Sequence, residues 1–173
     1  MALLWTYTEQ QTIKAISANQ PEALFDKLGE EVQVEDLQNM LGFKFYQDIV
    51  QNPDSTANAA LLDGGTYTVS AVTYFYLGLK YVLAYLFYAK YVKNSFKKDT
   101  YGGFVGKQFE ESRQLNNGDE ANLHKEARKV AFKYWEECEQ FIKANSSDYP
   151  YYCTDTDDKC CWDSSGYNKS WCF

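Results

Sequence analysis

Between Val72 and Ser95 the chain reads VTYFYLGLKYVLAYLFYAKYVKNS, and no other stretch restricts the fold so strongly. From Leu77 onward it has the period of a helix, with Leu77, Tyr81, Ala84, Tyr85, Tyr88 and Val92 on one face. The opposite side should be polar on a surface helix. Instead it carries Leu79, Leu83, Leu86 and Phe87, broken only by Lys80 and Lys90. A helix apolar nearly all round belongs in a large core, in a membrane or against another subunit. The two lysines leave nine uninterrupted apolar residues between them, too few for the ~20 a membrane span needs. The expectation is a helix that faces its own core on one side and a neighbouring copy on the other. Lys80, Leu83 and Phe87 would lie in that inter-subunit contact.

With 173 residues the chain is long enough for one domain with a sizeable core. Its 45% apolar content excludes a disordered chain, and 17% aromatics, fifteen of them Tyr, is high. Tyr joins apolar area to a polar tip, so it suits an interface as well as a core. The net charge of −7 is spread unevenly. Residues 1–72 hold ten acids against three bases, while 73–113 hold seven bases against three acids. Such asymmetry suits head-to-tail packing of identical subunits. It equally allows the basic part to lie beside nucleic acid, although overall acidity opposes tight duplex binding. MALLWTYTEQQ has neither the basic start nor the long apolar run of a signal peptide, so the five Cys are expected to stay reduced in a cytosol.

In chain order, Thr8 is the expected cap of a first helix, Glu9 to Ala18. Pro21 opens a second, Glu22 to Leu28, which Gly29 ends. A third, Val34 to Val50, sets Leu37, Leu41, Phe45 and Ile49 in one seam with Met40 and Val50 beside it. Gly42 inside that helix suggests a close backbone approach. A short helix, Thr56 to Leu62, precedes Asp63-Gly64-Gly65. The β-branched and aromatic runs from Thr66 to Val69 and from Val72 to Phe75 then read as a small hairpin, about 65–76. A lone hairpin is marginal, so it needs a surface to lie on, or another chain to pair with. Tyr67, Tyr74 and Tyr76 are its candidate contacts. The central helix carries Lys90, Lys93, Lys97 and Lys98 around its last turn. The helix dipole alone explains such cations; the alternative is a DNA-facing cluster. Thr100 to Gly106 is a glycine-rich turn without the ending of a phosphate loop.

The last helix has the clearest stripe: Leu123, Ala127, Val130, Ala131, Tyr134, Trp135, Cys138, Phe141 and Ile142. Lys133–Glu137 and Glu139–Lys143 stand at pairing distance along it. The body is expected to close at residue 150. Residues 151–173 have no period and hold four Cys and six aromatics. The fold class is therefore mainly α: a bundle of about four to six helices, a β-hairpin insertion and an irregular tail. Tyr151, Tyr152, Trp162, Tyr167, Trp171 and Phe173 are expected to anchor that tail in a partner, because six free aromatics would be a liability.

Catalytic chemistry is hard to find. His124 is the only histidine, and nothing near it in sequence suggests a nucleophile or an orienting partner. Cys153, Cys160, Cys161 and Cys172 lack the paired spacing of a zinc site. Asp155, Asp157 and Asp158 lack the Gly and distal Glu of a calcium loop. The expectation is no enzyme, no metal and no cofactor, with a metal-binding or redox-sensitive module built on the tail cysteines as the alternative.

Five segments together carry a family likeness: LGFKFYQDIV, ANAALLDGGTYT, GLKYVLAYLFYAKYVKNS, the TYGGFVGK turn and LHKEARKVAFKYWEECEQFIKAN. Over roughly residues 8–150 the chain resembles the head-to-tail adaptor, connector or head-completion proteins of tailed bacteriophages. It is most similar to the long form in phages of Bacteroidetes, including crAss-like phages. The resemblance implies a helical subunit of a dodecameric ring beneath the portal, continuing the DNA channel toward the tail. Implied partners are other copies, the portal, further neck or tail proteins and, without sequence preference, double-stranded DNA; no membrane is implied. The place would be the virion neck, after assembly in the bacterial host cytoplasm. The hairpin and the Cys-rich tail depart from the short family members, which leaves adaptor, stopper and other collar positions open.

Overall fold

In a computed structural model of the chain, residues 2–17, 22–95, 97–100, 103–106 and 117–152 are described. Helix α6 (Leu79–Ser95) is the centre. Helices α1 (Tyr7–Ile13), α2 (Glu22–Val32), α5 (Thr56–Asp63) and α7 (Asn117–Ala144) all pack on it, α7 most extensively. The wholly apolar character of α6 is thereby accounted for inside one chain. Leu79, Val82, Leu83, Leu86 and Phe87 are each at most 1% exposed, and every residue from Leu79 to Val92 is buried or half-buried. The expected contact of Leu83 and Phe87 with a neighbouring copy is corrected: four helices surround a rod that a three-sided wrapping would have left bare. Each such side chain contributes about 1.5–3 kcal/mol by leaving water, so this helix is the main apolar investment of the fold.

The two lysines that break its apolar surface are answered by acids. Lys80 Nζ lies 2.6 Å from Glu9 Oε1 and 2.7 Å from Asp63 Oδ1. Lys90 Nζ lies 3.0 Å from Glu31 and 2.7 Å from Glu35. Glu9 also starts α1. Its Oε2 accepts from the Thr6 amide at 2.7 Å while Thr6 Oγ1 accepts from the Glu9 amide at 3.2 Å, a reciprocal capping box. The cap is therefore Thr6, not Thr8, and α1 ends at Ile13.

The second helix does not stop at Gly29. Helix α2, a π turn (Gln33–Leu37) and α3 (Gln38–Leu41) follow one another with helical dihedrals at both joins. Gly29 sits inside that rod because a Cβ there would meet both Leu3 Cδ atoms at 3.1 Å. Across the π turn the buried apolar residues are five apart, Val32 and Leu37, with the buried Gln33 beside Val32 on the same side. Gly42 then breaks the expected Val34–Val50 helix in two, at φ +80, before α4 (Phe43–Gln51). Nothing lies within 4 Å of a Cβ built there, so the glycine serves the backbone angle and not a close approach. The seam itself survives the break: Leu37, Leu41, Phe45 and Ile49 are all buried.

Strands β1 (Gly65–Val69) and β2 (Val72–Tyr76) pair antiparallel, Gly65 with Tyr76 through Val69 with Val72. A second pair, β3 (Lys97–Thr100) with β4 (Gly103–Gly106), occupies the stretch expected as a glycine-rich turn. Lys97 and Lys98 thus belong to a strand and not to the end of α6. The body also runs past residue 150. Tyr149 donates to Ala57 O at 2.7 Å, and the Tyr152 ring packs on Phe45 and Trp135 while its hydroxyl donates to Glu139 at 2.8 Å. The architecture is mainly helical with a two-stranded hairpin, as the sequence implies. No helix among the described residues is long and apolar enough to cross a membrane.

Candidate functional site

The β1–β2 hairpin rises from a crossing of two glycines. A Cβ on Gly64 would lie 2.4 Å from the Leu77 carbonyl carbon, and one on Gly78 would lie 2.4 Å from the Gly64 nitrogen. Both have φ near +80. The strands therefore leave the body and return to it at one point, where only hydrogen side chains fit.

Alternation along the strands sorts the hairpin into two faces. Tyr67, Val69, Val72, Tyr74 and Tyr76 share one face, and Thr66, Thr68, Thr73 and Phe75 share the other. The first face is anchored at its base. Tyr76 stacks on Phe141 at 4.2 Å, its hydroxyl donates to Ala60 O at 2.9 Å, and burial pushes its pKa up to about 12. Tyr67 is half-buried against the same Phe141 and stacks on Tyr74 at 5.5 Å. The tip is bare. Val69, Val72, Tyr74 and Phe75 are exposed, Phe75 at 64%, and residues 65–76 contain no charge. The turn, Ser70 and Ala71, has φ of 49 and 65, positive at both positions as a type I′ turn requires.

Of the expected inter-subunit residues, Tyr74 alone is exposed. Tyr76, Leu83 and Phe87 are buried, Tyr67 is half-buried, and Lys80 is held by two acids. The expected basic cluster also disperses. Lys90 is taken by Glu31 and Glu35, Lys93 is exposed, and the side chains of Lys97 and Lys98 lie outside the described residues. Of the tail anchors, Tyr151 is exposed and Tyr152 is packed in the body; Trp162, Tyr167, Trp171 and Phe173 lie outside the described residues, as do Cys153, Cys160, Cys161 and Cys172.

His124 is the lone histidine and Cys138 the one cysteine among the described residues. His124 is half-buried, and burial, with Arg128 and Lys93 nearby, lowers its pKa. It is thus neutral at pH 7. Cys138 is buried, and burial pushes its thiol up to about 12, far from a reactive thiolate. No three His, Cys, Asp or Glu among the described residues are grouped to hold a metal ion. The residues that sequence reasoning missed are structural. Gln10 and Gln33 are buried polar groups: Gln10 bonds Trp5, Lys14 O and Ala84 O, and Gln33 bonds Leu4 N and Ala2 O. Gln33, between Val32 and Val34, was the available signal; Gln10 lies in the polar run from Thr8 to Thr12, which gives none.

The model of a family of unknown function, DUF6712, matches residues 37–161, well over half of the chain. The chain belongs to DUF6712. The DUF6712 match takes in the buried seam of α4, the hairpin, α6 and α7. No curated protein matches the chain. No solved structure matches it either.

Proposed function

We propose that this DUF6712 chain is a structural subunit of a tailed-phage neck, forming a ring of copies that joins the portal to the tail around the DNA channel. The carrying observation is the hairpin: an uncharged pair of strands that groups Val69, Val72, Tyr74 and Phe75, four of the seven exposed large apolar side chains among the described residues. Natural edge strands are protected by charges, prolines or bulges; this one has none among its paired residues. It is therefore built to be covered by another surface. The helix order and motifs that resemble phage connectors supply the rest of the reading: copies of itself and the portal as partners, and the virion neck as the place. On this reading the chain catalyses nothing and uses no metal.

The test is to co-express the chain with the portal protein of the same phage and image what purifies. A collar of copies seated on the portal is the expected result. A chain that elutes alone, folded and free of the portal, would contradict the reading.

A further inference from the structure

Lys125, Lys129 and Lys133 stand one turn apart on the outer face of α7, all exposed. None has an ion-pair partner among the described residues, whereas Lys143 on the same helix pairs with Glu139. The three span about 12 Å at 1.5 Å per residue. Like charges one turn apart repel each other within their own helix, a cost that Glu126, Glu136 and Glu137 on α7 lessen without closing an ion pair to any of the three.

Helix α2 carries the inverse pattern. Glu22 and Asp26 are exposed one turn apart, with Glu30 half-buried on the next turn. Glu22 and Asp26 also have no ion-pair partner among the described residues. Both stripes have exposed neighbours of opposite sign, Lys27 on α2 and Glu126 and Glu136 on α7, so even the exceptions are sign-inverted. Both helices turn their apolar faces to α6, and both stripes therefore look away from the body.

We propose that the α7 lysine stripe of one copy seats against the α2 acidic stripe of the next. In an antiparallel approach Lys133 meets Glu22 and Lys129 meets Asp26. Two different surfaces meet in such a seam, so it is heterologous: it propagates from copy to copy and closes into a ring where the rotation allows. Complementary charge then fixes register and partner more than raw affinity. The inference rests on the proposed ring assembly and names the surfaces that meet in it. DNA is the less suitable occupant of the lysine stripe, because it would leave the α2 acids unanswered in a chain of net charge −7.

The test is sedimentation of the full chain at low and high salt, with two charge-reversal variants. One carries Lys125→Glu, Lys129→Glu and Lys133→Glu; the other carries Glu22→Lys and Asp26→Lys. Each alone should self-associate roughly tenfold more weakly or worse, with unchanged helical circular dichroism, and salt should weaken the unsubstituted chain. An equimolar mixture should recover association, since each variant then presents the sign the other lacks. Unchanged assembly of the lysine variant overturns the seam but leaves the ring. Lost DNA binding with intact self-association overturns it as well and assigns the stripe to nucleic acid. Salt-sensitive open chains that never close or dock on a portal keep the seam and remove the neck reading. A chain that never self-associates removes both.

Discussion

Glu9 serves two helices with one carboxylate: one oxygen caps α1 through Thr6 and the other holds Lys80 of α6. Burial opposes its ionisation, but the hydrogen bonds from Lys80 and Thr6 outweigh it, and its pKa is lowered. A lowered carboxylate contributes stability above its unfolded pKa and loses it as the pH falls through the folded value. Unfolding experiments should therefore show stability falling as the pH drops below about 4.5, with a shallower fall in Glu9→Gln. Equal slopes for the two proteins would remove Glu9 from this role. Lys80 has its pKa raised by Asp63 and Glu9 against the lowering effect of burial, so its share persists to above 10.5. Gln33 allows a second check. Gln33→Ala leaves the buried Leu4 amide unpaired, at a cost of about 1–3 kcal/mol in denaturant unfolding. A neutral outcome would mean that residues 2–5 do not depend on it.

At the level of elements, the hairpin and the crossing beneath it make separable demands. Gly64→Ala or Gly78→Ala forces a methyl into backbone 2.4 Å away, at positive φ. Either should destabilise by about 2 kcal/mol or more, read as a lower melting temperature. Shortening the hairpin should do little to the body. Replacing residues 68–73 with Asn-Gly keeps the Tyr67–Tyr74 pair and a two-residue turn. The expected result is unfolding within about 1 kcal/mol of the full chain but loss of self-association. The hairpin was legible in the sequence because β-branched and aromatic runs flank a two-residue turn. So was the seam Leu37–Leu41–Phe45–Ile49, because its four-residue steps hold on both sides of Gly42. The break at Gly42 and the π turn were not: both keep the residues that face the core and change only the backbone between them. Thr6 was passed over for Thr8, although Thr6 with Glu9 three residues later has the capping-box spacing.

On the scale of the whole molecule, hydrophobic period shows that a helix is covered all round but not by which chain. Four segments far apart in sequence cover α6, and no local pattern announces that they converge. The exposed hairpin tip was half legible. Its strands could be read, but which residues stood clear of Phe141 depended on the Gly64–Gly78 crossing. The body includes Tyr152, so Tyr152→Ala should lower stability by about 3 kcal/mol through lost packing on Phe45 and Trp135, read in denaturant unfolding. The most direct measurement is the mass in solution of the full chain, with and without its portal, beside a Tyr74→Ser, Phe75→Ser double variant. Closed multi-copy species are expected for the full chain and folded monomers for the variant. A full chain that stays monomeric in both conditions, or a variant that assembles as well as it does, would contradict the account.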